Sequence, residues 1–298
     1  MSVKEDSPKV NSYISFKSET ASTMHFTLDN TNVSIANGIR RTILSDIPTL
    51  TFNCFPHKNC DATFHVNTSR LNNEILKQRL SCIPIHITDH DLPYSELVVE
   101  INMKNESENT IDLTTQYFKV KNEKTGKYLQ DSVVKKIFPP CPITNDYILF
   151  ARLRPKIVTI APGEEISISA KMSLHIAEED GSFNVASTCA YKFTPDKIKQ
   201  DEAWQLKSSQ LSSEEKTNEL VKQNWYNNEG LRYYKKDSFE FALESVGVFP
   251  NEYLVWKACE VINDKLAKIA TDAMTGEAIP CEKSVSTIKN SIDITLDK

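Results

Sequence analysis

Hydrophobic positions recur along this chain in two periods, and the change of period marks its elements. From Asn32 to Leu50 (NVSIANGIRRTILSDIPTL) apolar residues fall at Ala36, Ile39, Ile43 and Ile47, steps of three or four that line one face of a helix. Thr31 or Asn32 is placed to cap its start, and Pro48 ends it at or just before Ile47. Upstream, Tyr13–Phe16 and Met24–Leu28 read as two short strands around a Ser/Thr-rich turn; in the second, Met24, Phe26 and Leu28 alternate with His25 and Thr27. Near the far end Phe239, Phe241 and Leu243 alternate with Glu240, Ala242 and Glu244, the mark of a half-buried strand. Pro250 then opens a long helix with the stripe Leu254, Ala258, Val261, Ile262, Leu266 and Ile269, and Trp256 flanks it.

Between these ends the pattern is mostly β. A helix is expected after Asn67-Thr68-Ser69, capped by Thr68 or Ser69, buried through Leu71, Ile75, Leu76 and Leu80, and stopped by Pro84. From Leu97 to Ile176 the runs LVVEINMK, IDLTTQYFKV, YILFARL and EISISAKMSLHI are strand-like, separated by turn-formers such as NESEN, NEKTGK and APGEE, with FPPCP as an extended loop. Phe183–Phe193 is a further strand. Pro195–Gly230 is polar, with Trp204 and Trp225 as isolated anchors and a surface helix expected within SSQLSSEEKTNELVKQNWY.

Composition narrows the class. The 298 residues are enough for two modest domains, and no run approaches 18 apolar residues, so no membrane span is expected. The polar start MSVKEDSPKVNS reads as a disordered tail without the apolar core of a secretory signal. A net charge of −5 argues against broad nucleic-acid binding, which needs clustered cations; Arg152, Arg154 and Lys156 form only a small basic cluster at a strand end. Seven scattered cysteines fit a reducing compartment better than a disulfide framework.

The chemistry-bearing stretch is CFPHKNCDATFH. Cys54, His57, Cys60 and His65 supply four zinc-type donors within twelve residues, although the spacing matches no common finger or ribbon and Phe64-His65-Val66 reads as a strand. A zinc-stabilised interaction module is one alternative for this chain. A thiol hydrolase using Cys54 or Cys60 with His57 or His65 is another, but nothing in the sequence orients the base. No phosphate loop, Asp-x-Asp metal motif, nucleophile elbow or metalloenzyme His-Glu pair is present, so neither catalysis nor a cofactor is expected.

Three segments resemble one family in the same order. In the first helix Arg40 and Arg41 stand beside the apolar stripe and are followed by Leu44, Ser45, Asp46, Ile47, Pro48 and Thr49. From pattern alone this is an ordinary amphipathic core helix with solvated arginines. It is also similar to the signature of RNA polymerase alpha-like subunits: the bacterial alpha N-terminal domain, its archaeal counterpart and the eukaryotic third-largest subunit. The second segment carries Asn67, Thr68, Ser69, Glu74, Arg79, Leu80, Ile83, Pro84 and Ile85, departing from the family at Asn73, Gln78 and Ser81. The third is the strand SFEFALESVG with the helix after it. The four-cysteine zinc cluster of many eukaryotic members has no counterpart between Cys82 and Cys141.

The resemblance implies an α+β fold. A discontinuous dimerisation domain, a sheet plus two long helices, is expected from residues 1–53 and 186–270. An inserted, mainly antiparallel β domain would span 54–185, with a polar tail over 271–298. It implies a non-catalytic assembly subunit of a DNA-directed RNA polymerase, dimerising with a smaller alpha-like subunit and docking the two largest subunits, with no sequence-specific nucleic-acid contact of its own. By that resemblance Ile39, Ile43, Leu254, Ala258 and Ile262 are expected at the dimer interface, and Arg40, Arg41, Glu74 and Arg79 toward a large subunit. The departures suggest an outlying lineage, nuclear or viral.

Overall fold

Two separate apolar cores gather different parts of this chain. The computed structural model describes residues 13–20, 22–88, 93–156, 162–212 and 218–275. In chain order the elements are β1 (Tyr13–Glu19), β2 (Thr23–Asp29), α1 (Val33–Ser45), β3 (Thr49–Thr51), β4 (Ala62–Asn67), α2 (Asn73–Ser81), β5 (Leu97–Lys104), β6 (Ile111–Thr114) and β7 (Lys119–Asn122). They continue with α3 (Asp131–Ile137), β8 (Leu149–Leu153), β9 (Glu165–Lys171), β10 (Ser173–His175), β11 (Ala186–Pro195), α4 (Lys197–Ser209), α5 (Glu219–Asn227), β12 (Tyr234–Ser245) and α6 (Asn251–Thr275). The N-terminal stretch read as a tail, and residues 276–298, lie outside the described residues.

The first core is built from both ends of the sequence. An antiparallel sheet runs β1-β2-β12-β11. Phe26 is opposite Phe241 in its register, and their rings stack at 4.8 Å. The alternation puts Met24, Phe26, Leu28, Phe239, Phe241 and Leu243 on one face, and α1 and α6 lie over that face with Ala36, Ile39, Ile43, Leu254 and Ala258 buried. Asn32 is the N-cap of α1, its Oδ1 accepting from Ser34 N at 2.6 Å. The helix ends at Ser45, and Asp46 N donates to Thr42 O at 2.9 Å. Ile47 remains buried in the same core although it lies beyond the helix.

The second core begins at Leu50, Phe52 and Cys54 and is otherwise made from residues up to Met172. Its main sheet runs β4-β9-β5-β7, with β6 paired to β8 and β3 to β10. Phe118 meets Phe138 and Phe150 edge-on at 5.4 and 5.8 Å. Here α2 and α3 bring Leu76, Leu80, Val134 and Ile137 inward.

Several sequence expectations are corrected. The cap of α2 is Asn72, whose Oδ1 accepts from Ile75 N at 3.0 Å, because Thr68 and Ser69 are used in the turn before it. Ile75 is exposed; the buried side of α2 carries Lys77 and Ser81 beside Leu76 and Leu80. Helices α3 and α4 were not expected, the first being too short and the second too polar to show a periodic stripe. Trp204 and Trp225 are not isolated: their ring centroids are 5.4 Å apart, joined by Tyr226 and Tyr233 in a small aromatic cluster. The last helix runs on to Thr275.

Candidate interaction face

The three family-like segments first serve the fold. Asn67 ties the turn between β4 and α2: its Oδ1 accepts from Ser69 N (3.1 Å) and Oγ (2.7 Å), and its Nδ2 donates to Leu71 O (2.8 Å) and Asn73 Oδ1 (2.7 Å). Thr68 N donates to Glu165 O on β9 at 2.9 Å. Arg79, although exposed, donates from Nη1 to Phe150 O at 2.8 Å and so joins α2 to β8. Glu74 is exposed in the first turn of α2, where the helix dipole favours a carboxylate. At the other end, Gly247 takes φ +110°, a left-handed conformation that a side chain would strain. Gly247 N donates to Ser245 Oγ at 3.0 Å, and Asn251 Oδ1 accepts from Ser245 N at 2.9 Å. Asn251 Nδ2 donates to Ser22 O at 3.0 Å, so this nearly buried amide ties the start of α6 to the β1–β2 turn. Sequence reasoning passed over Asn251; its place just after a helix-opening proline is the signal that could have found it.

The double arginine divides. Arg40 is half-buried, its Nε and Nη2 donating to Asn37 Oδ1 at 3.1 and 3.0 Å. Its charge faces the Cys189 thiol on β11, which burial pushes up to about 11 against the opposing pull of that guanidinium. Arg41 is exposed on the outer side of α1.

The long stripe of α6 also divides. Leu254 and Ala258 are fully buried with Ile39 and Ile43 in the chain's own core. These four are the residues expected at a partner contact, and in the chain itself they pack against the sheet. Ile262 is half-buried. Lys265 Nζ then reaches Asp46 Oδ2 at 2.8 Å, at the very end of α1. Burial opposes ionisation of Asp46, but the hydrogen bonds from Lys265 and Ser45 outweigh it and hold the carboxyl below its ordinary value. Past this point the same stripe is open among the described residues: Leu266 is 58% exposed and Ile269 52%. Trp256 is 58% exposed on the flank of α6, and Val33 and Ile35 are exposed in the first turn of α1.

The Cys/His stretch does not assemble as a metal centre. Cys54 is buried, His57 Nδ1 meets Lys77 Nζ at 2.9 Å, and His65 Nε2 meets Ser169 Oγ at 2.8 Å on an exposed strand face. Among the described residues no group of three or more His, Cys, Asp or Glu side chains is placed to hold a metal ion. Arg152 and Arg154 are each engaged by a carboxylate, Asp112 at 3.1 Å and Glu164 at 2.5 Å. Among the described residues no helix is long and apolar enough to cross a membrane.

Comparison with known proteins agrees with this architecture. The family model described as the RNA polymerase Rpb3/Rpb11 dimerisation domain matches residues 25–266. Subunit 3B of DNA-directed RNA polymerases IV and V from Arabidopsis thaliana is 24% identical, the match covering 85% of this chain and 88% of that one. Subunit RPAC1 of RNA polymerases I and III from Saccharomyces cerevisiae is 24% identical over 81% of each chain. Subunit RPB3 of RNA polymerase II from Schizosaccharomyces pombe is 23% identical over 87% of this chain and 86% of its own.

Proposed function

The chain belongs to the RNA polymerase Rpb3/Rpb11 dimerisation-domain family, and from that membership we propose how it is built into its enzyme. It is an alpha-like, non-catalytic subunit that assembles within a multisubunit DNA-directed RNA polymerase. The partner across α1 and α6 is a smaller alpha-like chain, and the resulting dimer is the platform for the two largest subunits. The sheet with α1 and α6 is the dimerisation domain; the second core is the inserted domain.

One observation carries this reading. The stripe of α6 is buried as far as Ala258 and uncovered from Leu266 onward. A helix that keeps its apolar period beyond the edge of its own core leaves surface for another chain to cover. The dimer contacts therefore move to Ile262, Leu266 and Ile269, with Trp256 at the rim, while Ile39, Ile43, Leu254 and Ala258 support them from beneath. Arg41, exposed on α1, is the residue assigned to a large subunit. Arg40, held by Asn37, orients that surface, and Glu74 and Arg79 extend it on α2. The relatives are subunits of eukaryotic polymerases, which fits a nuclear place of work.

The experiment is a tagged pull-down from the native source with each co-purifying chain identified by mass. Two very large chains and one small alpha-like chain are expected. Recovery of the chain with no polymerase subunit refutes the assignment of partners.

A further inference from the structure

The loop at 54–60 plays no part in the docking reading, yet it brings two thiols to one apolar core. Asp61 N donates to Asn53 O at 2.7 Å, and the next facing pair inside that closure is Cys54 and Cys60. A 3-10 turn over His57–Asn59, held by Asn59 N to Pro56 O at 2.9 Å and Cys60 N to His57 O at 3.4 Å, folds Cys60 back toward Cys54. Both side chains belong to one apolar core, Cys54 within it and Cys60 packed against it, and Cys60 Sγ donates to Ala62 O at 3.3 Å. Cys54 is fully buried; Cys60 packs at the rim of the same core and keeps part of its surface in water. Beneath them Lys77, only 7% exposed, holds its ammonium against His57.

We propose that Cys54 and Cys60 form an oxidisable dithiol, a modification site that hydrogen peroxide converts into an intrachain disulfide. Cys60 has the solvent access, so its thiolate attacks the peroxide; the O–O bond breaks, hydroxide leaves, and Cys60 becomes a sulfenic acid. The Cys54 sulfur then attacks the sulfenic sulfur. The S–S bond forms, the S–O bond breaks, and the departing hydroxide takes the Cys54 proton as water. Two thiols give up two electrons and two protons, and one peroxide becomes two waters. Burial, and then the neighbouring Cys60, push the Cys54 thiol up to about 12, while the Lys77 charge opposes them. Cys54 is closed off from solvent while Cys60 is not, so access fixes the order of the two steps. The product is a short covalent ring that clamps Phe55–Asn59, the segment that presents exposed Phe55 and holds the Lys77 ammonium.

The test uses the full chain, treated with hydrogen peroxide, alkylated and digested with trypsin. Cleavage after Lys58 separates the two cysteines, so a disulfide joins two peptides that otherwise part, with a mass about 2 Da below their sum. A Cys54–Cys60 linked peptide, lost on reduction and absent from Cys60→Ser, is the expected result. In Cys54→Ser, Cys60 should accumulate as a sulfenic acid that dimedone traps. Cys54 and Cys60 alkylated as free thiols while exposed Cys82 and Cys141 are oxidised would overturn the proposal, as would a link from Cys60 to any other cysteine. Should Cys54→Ser fail to fold, the mapping of the unaltered chain and Cys60→Ser still decides.

Discussion

Replacing Leu266 and Ile269 together by Asp separates the two jobs of α6. Both side chains are a little over half exposed in the chain alone, at 58% and 52%. Fully burying a Leu or Ile contributes about 1.5–3 kcal/mol, so the part still open to a partner accounts for roughly 1 kcal/mol at each position. A carboxylate placed in an apolar contact without a partner adds a desolvation cost of several kcal/mol. The expected loss of about 4–6 kcal/mol is roughly 3 to 4 orders of magnitude in Kd. In the free chain the same carboxylates stay in water, and lower helix propensity costs about 0.5 kcal/mol each. The melting midpoint should then move by no more than about 4 °C. The assay is sedimentation or fluorescence titration with the small alpha-like partner, paired with a thermal melt of the free chain. A Kd within about threefold of the unaltered protein would refute the placement. So would a collapsed melt, because it would mean that these residues belong to the core. Ile43→Ala is the contrasting control: this fully buried side chain should cost about 2–5 kcal/mol of folding stability whether or not the partner is present.

Charge reversal at Arg41 should weaken capture of a large subunit in a pull-down while the small-partner dimer survives; unchanged capture removes Arg41 from that surface. The Asp46 carboxyl lies below its ordinary value of 3.8 in the folded chain, so its contribution to stability is complete above that value and fades as pH falls through the lower folded one. The gap in melting midpoint between the unaltered chain and Asp46→Asn should accordingly be present near neutrality and shrink once pH drops below 3.8; a gap that widens in acid contradicts the ion pair. Gly163→Ala would set a Cβ 1.6 Å from the Asn105 carbonyl oxygen, so urea unfolding should register a loss of about 1–3 kcal/mol or more, and an unchanged midpoint would refute that close approach.

The elements that a period can reveal were legible without the structure. The spacing of Ala36, Ile39 and Ile43 specifies α1, the alternation at Phe239, Phe241 and Leu243 specifies β12, and Leu254 with Ala258 begins α6, because a buried face leaves its own repeat in the sequence. Short or polar helices leave no such repeat. Helix α3 has seven residues, and α4 buries only Gln200, whose Nε2 donates to Gly230 O at 3.0 Å. Capping by Asn72 was hidden for a related reason: Thr68 and Ser69 suit a cap equally well by residue type, and only the hydrogen bonds of Asn67 take them into the preceding turn.

The sequence by itself determined that an apolar stripe runs the length of α6, that a double arginine flanks α1, and that three motifs follow one another in the order of a known family. The tertiary structure decided what each stripe residue faces. Leu254 and Leu266 occupy the same stripe and the same residue type, yet the first is fully buried and the second stands open, because α6 outruns α1 where Lys265 meets Asp46. Periodicity records that a face is apolar. Which surface lies opposite depends on where the sheet and the neighbouring helix end, and that is set by contacts between segments more than two hundred residues apart.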